Sequence, residues 1–361
     1  MLNTYLKQCQ TTNGALVALG IVGAVLGVIA WPALAATGST APMNWGGMTM
    51  ELLGGLALFL YGMTQMEVGL KAVAGERMKS ILAKLTVNRF AGVGTGAVVT
   101  AVIQSSSVTT VLLVGFISAG LMSLPQSVGV IIGAKIGTTI TGQIVAFKIT
   151  KAALAMVAGG FGMLFLSKNE KIKAYGGMLM GLGLVFFGMH VMGEAMHPLR
   201  SYQPFLDLMQ TMTNPLLAVL VSAVFTGIIQ SSSATTAIII VMASQGFISL
   251  DAGVPLVMGA NIGTCVTALL AAIGKPREAV RCAVVHTGLA CTGVLMWLPF
   301  VSVIRSAAVA MSPVYPELSG MDLLAAETPR QIANAHTFFN IANGCIFIWF
   351  TTYIARAAEW L

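Results

Sequence analysis

The most constraining feature of this sequence is a polar segment that occurs twice in an otherwise apolar chain. Residues 103–110 read Ile-Gln-Ser-Ser-Ser-Val-Thr-Thr, and residues 229–236 read Ile-Gln-Ser-Ser-Ser-Ala-Thr-Thr. The copies lie 126 positions apart, and 19 of the 45 positions from 100 to 144 are identical to those 126 later. Hydroxyl and amide groups are costly in apolar surroundings unless they find partners. Two matched polar clusters therefore indicate a duplicated binding site.

A second block follows each polar segment at a fixed distance. Residues 133–138 read Gly-Ala-Lys-Ile-Gly-Thr and residues 259–264 read Gly-Ala-Asn-Ile-Gly-Thr, each starting 29 residues after the glutamine. Paired glycines permit close helix packing, or a helix break whose freed carbonyls bind a cation. Both explanations stay open at this point, but neither block has the Gly-Lys-Ser/Thr ending of a nucleotide-binding P-loop.

The composition is that of a multi-pass membrane protein. The chain is 57% hydrophobic and 9% charged, where a soluble domain has about 25% charged residues. Most of its apolar stretches are near the ~20 residues that cross a bilayer. The net charge of +7 is interpreted as membrane topology, because no polar domain carries a basic patch for nucleic acid. The predicted stretches are 52–66, 90–121, 127–147, 152–166, 176–196, 216–248, 253–273, 282–304 and 331–355.

The amino-terminal region has the features of a secretory signal. Residues 1–36 contain an early lysine, an apolar run and an Ala-Leu-Ala site, which favours a cleaved signal peptide over a retained membrane helix. Residues 37–49 form a short linker. The five cysteines show no paired spacing, so the sequence predicts neither disulfides nor a metal site.

Two apolar stretches, 90–121 and 216–248, are about 32 residues long and hold the triple serines at their centres. A straight helix of that length would measure ~48 Å, which exceeds the ~30 Å hydrocarbon core. Each is predicted to be a re-entrant helical hairpin with its polar residues at the tip. One long tilted helix with a serine patch is the alternative.

The distribution of basic residues favours inverted repeats. A hairpin returns to the side from which it entered, so each unit crosses the membrane an odd number of times and the second unit starts on the opposite side. Under this topology twelve basic residues lie in the cytoplasm and five outside, as the positive-inside rule expects. The outer five are Lys148, Lys151, Arg200, Arg305 and Arg330, and the inner twelve include Lys71, Arg77, Lys79, Lys84, Arg89, Lys173, Arg281 and Arg356.

The predicted fold class is therefore an all-α polytopic membrane protein with two inverted-topology repeats, each with a re-entrant helical hairpin. Repeat 1 covers 50–168 and repeat 2 covers 174–305, while 306–361 hold an extracytoplasmic loop and a carboxy-terminal membrane helix. Inverted repeats with interrupted helices are typical of transporters whose sites lie near the midplane. A hairpin tip exposes a helix N-terminus, which favours an anion, and hydroxyls can serve an oxyanion or a cation.

The twin Gln-Ser-Ser-Ser motifs, each followed by Gly-Ala-x-Ile-Gly-Thr, resemble the type II sodium–phosphate cotransporter family, including its bacterial members. The resemblance covers about residues 50–300 and rests on a specific, duplicated motif. It implies sodium-coupled transport of inorganic phosphate, with sodium as a co-substrate and no other cofactor. It also implies that both ligands are held by the two hairpin tips.

The resemblance assigns site residues position by position. Phosphate and sodium are expected at Gln104, Ser105, Ser106, Ser107, Gln230, Ser231, Ser232 and Ser233, with Thr109, Thr110, Thr235, Thr236, Asn261, Lys135, Thr138 and Thr264 around them. Among these, the sodium ligands are expected from Gln104, Ser105, Gln230, Ser231 and Asn261.

Lys135 departs from the family pattern, because its partner in the second repeat is Asn261. A lysine at membrane depth is costly and by default indicates a functional site. Three interpretations are open: its ammonium replaces a sodium ion, it contacts phosphate, or it pairs structurally.

The sequence thus predicts a secondary transporter of the bacterial inner membrane that works by alternating access, with an oligomer possible. A carrier of another anion, such as a carboxylate, is one alternative. A non-transporting anion sensor is another. An enzyme is not expected, because the sequence offers no nucleophile–base pair, metal cluster or nucleotide loop.

Overall fold

The computed structural model describes residues 44–84, 88–147 and 149–360. The predicted signal peptide 1–36, most of the linker 37–49 and Lys148 lie outside the described residues, as do the side chains of Arg77, Lys79 and Lys84. The described part is helical and contains no strand.

Fifteen α-helices make up the described part, some of them joined by single 3₁₀ turns. They are α1 (Trp45–Lys84), α2 (Arg89–Ile103), α3 (Ser106–Ser118), α4 (Leu124–Val145), α5 (Ala153–Leu166), α6 (Glu170–Met196), α7 (Gln203–Thr211), α8 (Pro215–Ile229), α9 (Ser232–Ser244), α10 (Leu250–Gly263), α11 (Cys265–Ala272), α12 (Arg277–Trp297), α13 (Val301–Ala310), α14 (Gly320–Phe347) and α15 (Thr351–Glu359). By length and composition, six helical segments could cross a membrane, or seven if the pair α7 and α8, bent by 102°, counts as one span.

Both long apolar stretches are hairpins, as predicted. Helices α2 and α3 have 15 and 13 residues, so each arm is only about 20 Å long. Helices α8 and α9 have the same two lengths and begin and end 126 positions after α2 and α3. A single tilted helix is therefore wrong for either stretch.

Each hairpin packs against the helix that follows it in the same way. A Cβ added at Gly137 of α4 would collide with the carbonyl oxygen of Ala97 in α2, and one at Gly263 of α10 would collide with that of Ala223 in α8. Earlier along α4, Gly129 lies against Arg89, so α2 and α4 run parallel. Parallel first and third helices mean that the chain leaves the hairpin on the side where it entered.

The first helices of the two predicted repeats pack antiparallel. A Cβ on Gly62 of α1 would lie 2.6 Å from the carbonyl oxygen of Gly181 in α6, and one on Gly55 would lie 2.9 Å from that of Gly188. Gly181 and Gly188 are themselves the positions 126 residues after Gly55 and Gly62. Exchanging each glycine for its equivalent in the other repeat therefore gives the same two contacts, as a two-fold axis would. This supports the prediction that the repeats are inverted.

Contacts near the helix ends agree with the predicted sides. Arg200 pairs with Asp322 at 2.7 Å and Arg305 with Asp251 at 3.4 Å, which joins segments placed outside. On the predicted cytoplasmic side, Arg281 donates to the Glu359 carbonyl.

Three details differ from the sequence-based expectations. Helix α5 has 14 residues, about 21 Å, and is shorter than a full span. Helix α14 begins at Gly320 and not at 331. The apolar pattern did not include its first turns because they are polar, with Asp322 and Glu327 among them. The loop before it is therefore shorter than predicted.

Candidate functional site

Both hairpins turn at their glutamine. Gln104 and Gln230 have φ of 59° and 60° and are the non-glycine residues with positive φ among those described. This left-handed conformation is rare outside glycine and costs about 1 to 3 kcal/mol per residue. Because such strain concentrates at ligand sites, its occurrence at both equivalent glutamines indicates a functional turn.

The first serine of each motif caps the returning helix. The Ser105 hydroxyl accepts from the Val108 N–H at 3.3 Å, and the Ser231 hydroxyl accepts from the Ala234 N–H at 3.2 Å. These serines satisfy one of the N–H groups that the first turn of a helix leaves unpaired. Their hydroxyls therefore hold the tip in shape.

One threonine of each motif clamps the two arms of its hairpin together. The hydroxyls of Thr100 and Thr109 are 2.9 Å apart, and those of Thr226 and Thr235 are also 2.9 Å apart. Thr109 also donates to the Ser105 carbonyl at 3.2 Å. Thr109 and Thr235 thus use their hydroxyls within the hairpin.

The remaining serines have free hydroxyls. Among the described residues, no side-chain hydrogen-bond partner occurs for the hydroxyls of Ser106, Ser107, Ser232 or Ser233, and Ser106 and Ser232 are buried at 8% and 6% exposure. They lie in the first turns of α3 and α9, where helix N–H groups and the helix dipole favour an anion. Each tip can therefore offer hydroxyl and N–H donors to an oxyanion.

The two hairpins meet at one turn of α4. Thr141 donates to the Gln104 side-chain oxygen at 2.8 Å, which ties the first tip to α4. A Cβ placed on the next residue, Gly142, would lie 3.5 Å from the Thr236 methyl group of the second hairpin. Gln104 of the first hairpin and Thr236 of the second therefore lie next to neighbouring residues of the same helix.

Two histidines from later helices lie near the hairpins, one against Thr110 and the other beside Gly142 of α4. The His286 Nδ1 of α12 is 3.2 Å from the Thr110 hydroxyl. The His336 Nδ1 of α14 lies 3.6 Å from the same Gly142 Cβ position that faces Thr236. His336 is 2% exposed, and neither of its ring nitrogens has a partner among the described residues.

The paired glycine blocks place their third residues in one small cavity. Lys135 of α4 and Asn261 of α10 line it together with Asn340 and Asn343 of α14. The block threonines do not take part through their hydroxyls, because Thr138 and Thr264 donate to the carbonyls of Ala134 and Ala260 in their own helices. The cavity therefore combines the equivalent residues Lys135 and Asn261 with amides from α14.

The sequence alone did not predict that α14 lines this cavity. Asn334 and Gln143 bond to each other across helices at 3.2 Å, as structural polar residues do in membrane proteins. Asn340 and Asn343 differ, because their Oδ1 atoms are buried and unpartnered within the described part. The signal that could have indicated the contribution of α14 was its several asparagines, which lie outside the duplicated segments.

Among the described residues, no three His, Cys, Asp or Glu side chains cluster as metal ligands. The polar groups of the site are hydroxyls, amides, imidazoles and one ammonium. This set suits an oxyanion and hard monovalent cations, which take oxygen ligands.

The chain is thus an all-α, multi-pass membrane protein with two equivalent polar hairpins. A family model described as Na+/Pi-cotransporter matches residues 58–194 and 201–322, which is more than half of the chain. The chain belongs to this family, as the motif resemblance implied. Membership of a transporter family supports phosphate transport and speaks against an enzyme.

Individual relatives agree with this assignment. The "Uncharacterized protein YqeW" of Bacillus subtilis is 28% identical over 302 residues, 83% of this chain and 94% of that protein. The "Putative inorganic phosphate export protein YjbB" of Salmonella typhimurium is 25% identical over 308 residues, 85% of this chain and 54% of that protein. The "Sodium-dependent phosphate transport protein 2C" of Rattus norvegicus is 44% identical over 85 residues, 22% of this chain and 14% of that protein. No solved structure gives a significant match.

Proposed function

We propose that this chain is a sodium-coupled symporter of inorganic phosphate in a bacterial inner membrane, working by alternating access. The observation that carries the proposal is that two equivalent hairpins, each with unpartnered serine hydroxyls near its tip, contact the same turn of α4, one through Gln104 and the other through Thr236. Family membership supports phosphate and sodium as the transported substrates.

The phosphate ligands in this proposal are Ser106, Ser107, Ser232 and Ser233, together with the N–H groups of their helix turns. Phosphate oxygens accept hydrogen bonds, and these groups donate them. Gln104 and Gln230 shape the tips, and Ser105 and Ser231 cap them. Sodium would take oxygen ligands at the same tips and at Asn261.

Alternating access is supported by the architecture. The arms of each hairpin have 15 and 13 residues, too few to span the membrane, which supports tips that end inside it. The antiparallel pairing of α1 and α6 supports an inverted arrangement, in which a site between the repeats can open first to one side and then to the other.

The proposal is tested by radiolabelled phosphate uptake into proteoliposomes, with an inward sodium gradient or with choline in its place. We expect uptake that requires sodium and is inhibited by arsenate but not by citrate. Sodium-independent uptake would remove the coupling, and inhibition by citrate would favour the carboxylate carrier. Phosphate binding without uptake would favour the sensor.

Matched serine variants localise the site in the same assay. The double variant Ser107→Ala/Ser233→Ala removes one free hydroxyl from each tip and should reduce uptake strongly. The control is Ser118→Ala/Ser244→Ala at the far ends of α3 and α9, where both hydroxyls donate at 2.7 Å to carbonyls of their own helices. The control should retain uptake, and equal losses in the two variants would contradict the proposed site.

Export is a second candidate, favoured by the name of the YjbB relatives, of whose length this chain covers 54%. The same proteoliposomes, loaded with labelled phosphate, distinguish the two directions. Efflux without an outward sodium gradient, in the absence of gradient-driven uptake, would favour export.

A further inference from the structure

One position differs between the two Gly-Ala-x-Ile-Gly-Thr blocks. Lys135 and Asn261 occupy equivalent places, 126 residues apart, and line the same cavity. The cavity is closed on another side by Asn340 and Asn343 of α14. A sequence that kept the symmetry would have an asparagine in place of the lysine.

The amides around this cavity present oxygen atoms to it. The side-chain nitrogens of Asn261 and Asn340 donate to the carbonyls of Val257 and His336, at 3.1 and 2.9 Å. A carbonyl only accepts hydrogen bonds, so these contacts fix which end of each amide is nitrogen. The oxygen is the polar atom that each asparagine has left.

Two of these acceptors lack a protein donor. The Oδ1 atoms of Asn340 and Asn343 are buried without a hydrogen-bond partner among the described residues, and the two residues are only 2% and 8% exposed. A buried acceptor without a donor costs about 1 to 3 kcal/mol. The cavity is therefore built to receive a group that donates to oxygen or is coordinated by it.

Oxygen atoms of this kind repel an anion and attract a cation. Phosphate would bring further acceptors against them, which disfavours direct contact between Lys135 and phosphate in this cavity. No carboxylate pairs with Lys135 in the described part of the chain. A lysine ammonium has three donors and no acceptor, which complements amide oxygens as a small monovalent cation would.

We propose that the Lys135 ammonium, which lines this oxygen-lined cavity without donating to the two unpartnered oxygens in this structure, is a tethered cation that supplies the positive charge there in place of a sodium ion. Resting on the proposed function, this means that the carrier binds one sodium ion fewer than it would with asparagine in both repeats. A tethered charge is not released on either side of the membrane. It therefore adds nothing to the coupling between the sodium gradient and phosphate.

The binding test uses the purified full chain and its Lys135→Asn variant, which restores the symmetry. Thermal unfolding is followed in detergent while sodium replaces choline at constant ionic strength. An ion that binds only the folded state raises the stability of that state. We expect sodium to stabilise the variant more than the wild type. Lys173→Asn is the control, since it removes a lysine whose ion pair with Glu170 is exposed, and it should respond as the wild type does.

A second variant protects the test against misfolding. If Lys135→Asn does not fold, Lys135→Gln supplies the same amide on a longer side chain and should show the same gain. An identical sodium response in the wild type and in the folded variant would overturn the proposal.

The transport arm measures the sodium dependence of phosphate uptake in proteoliposomes. The Hill coefficient for sodium should be larger by about one in Lys135→Asn than in the wild type. An unchanged sodium response with a higher KM for phosphate would instead make Lys135 a phosphate ligand and overturn the proposal. If no phosphate is carried at all, the proposed function fails, while the binding test still decides the role of Lys135.

Discussion

At the scale of the residue, the site depends on which hydroxyls are already engaged. Both motifs contain the same five hydroxyl residues, yet they divide into clamps and free donors. Ser105 and Thr109 are engaged inside the first hairpin, whereas Ser106 and Ser107 are not. The second hairpin repeats this division for its three serines and Thr235. The last threonines differ, because Thr110 donates to the Ser106 carbonyl while the Thr236 hydroxyl is buried without a partner among the described residues.

One contact of the site breaks the equivalence of the hairpins. The Thr141 hydroxyl holds the Gln104 oxygen at 2.8 Å, while the hydroxyl of its counterpart, Thr267, is buried without a partner among the described residues. The first tip is therefore fixed to the following helix more firmly than the second.

This asymmetry predicts unequal effects of two equivalent substitutions. Thr141→Val should raise the KM for phosphate by about tenfold, because losing a buried hydrogen bond costs about 1 to 3 kcal/mol and about 1.4 kcal/mol is a factor of ten. Thr267→Val loses no such bond and should have a much smaller effect. Uptake kinetics of both variants check this, and equal changes would contradict the role of Thr141.

At the scale of the element, glycines let equivalent helices pack with their backbones in contact. Gly62 of α1 and Gly181 of α6 leave 2.6 Å between an added Cβ and the opposite carbonyl oxygen. Small residues of this kind are the usual interface between membrane helices. The α1–α6 pair thus joins the repeats through main-chain contacts that no larger residue allows.

Gly62→Ala should therefore destabilise the protein, by about 1 to 3 kcal/mol as overpacked cores do. Gly54→Ala is the control in the same helix, because nothing lies within 4 Å of a Cβ at that position and alanine is the better helix former. Thermal unfolding in detergent measures both. A Gly62→Ala protein as stable as the Gly54→Ala protein would argue against close packing of α1 on α6.

At the scale of the whole molecule, the question is whether the repeats are inverted with respect to the membrane. Helices α2 and α8 begin after Asn88 and Asn214, which are exposed, cap their helices and lie 126 positions apart. In an inverted arrangement these equivalent caps lie on opposite sides of the bilayer. In a parallel arrangement they would lie on the same side.

Single cysteines at the two caps test this directly. Asn88→Cys should react with a membrane-impermeant thiol reagent only after the cells are permeabilised, and Asn214→Cys should react in intact cells. The unsubstituted protein controls for the five native cysteines, and loss of a cap costs only about 1 kcal/mol. Labelling of both positions from the same side would refute the inversion.

The fold class, the duplication and the place of each hairpin turn could be predicted from the sequence. These follow from local properties: apolar runs, their lengths against the bilayer, and polar residues at the centre of each long run. The bounds of α2, α3, α8 and α9 repeat with the offset of the motifs, so the segments that form the tips were readable in advance.

Which polar atoms are free and which residues share a cavity depends on how the helices pack, and could not be predicted from the sequence. Thr109 and Thr138 carry the same hydroxyl as Thr141, yet the first two bond within their own hairpin or helix and the third reaches Gln104. Asn340 and Lys135 line the same cavity although about 200 residues separate them in the sequence. Hydrogen bonds require atoms to lie about 3 Å apart. Packing between helices that are distant in the sequence sets those distances, and the 126-residue spacing of the motifs does not reveal them.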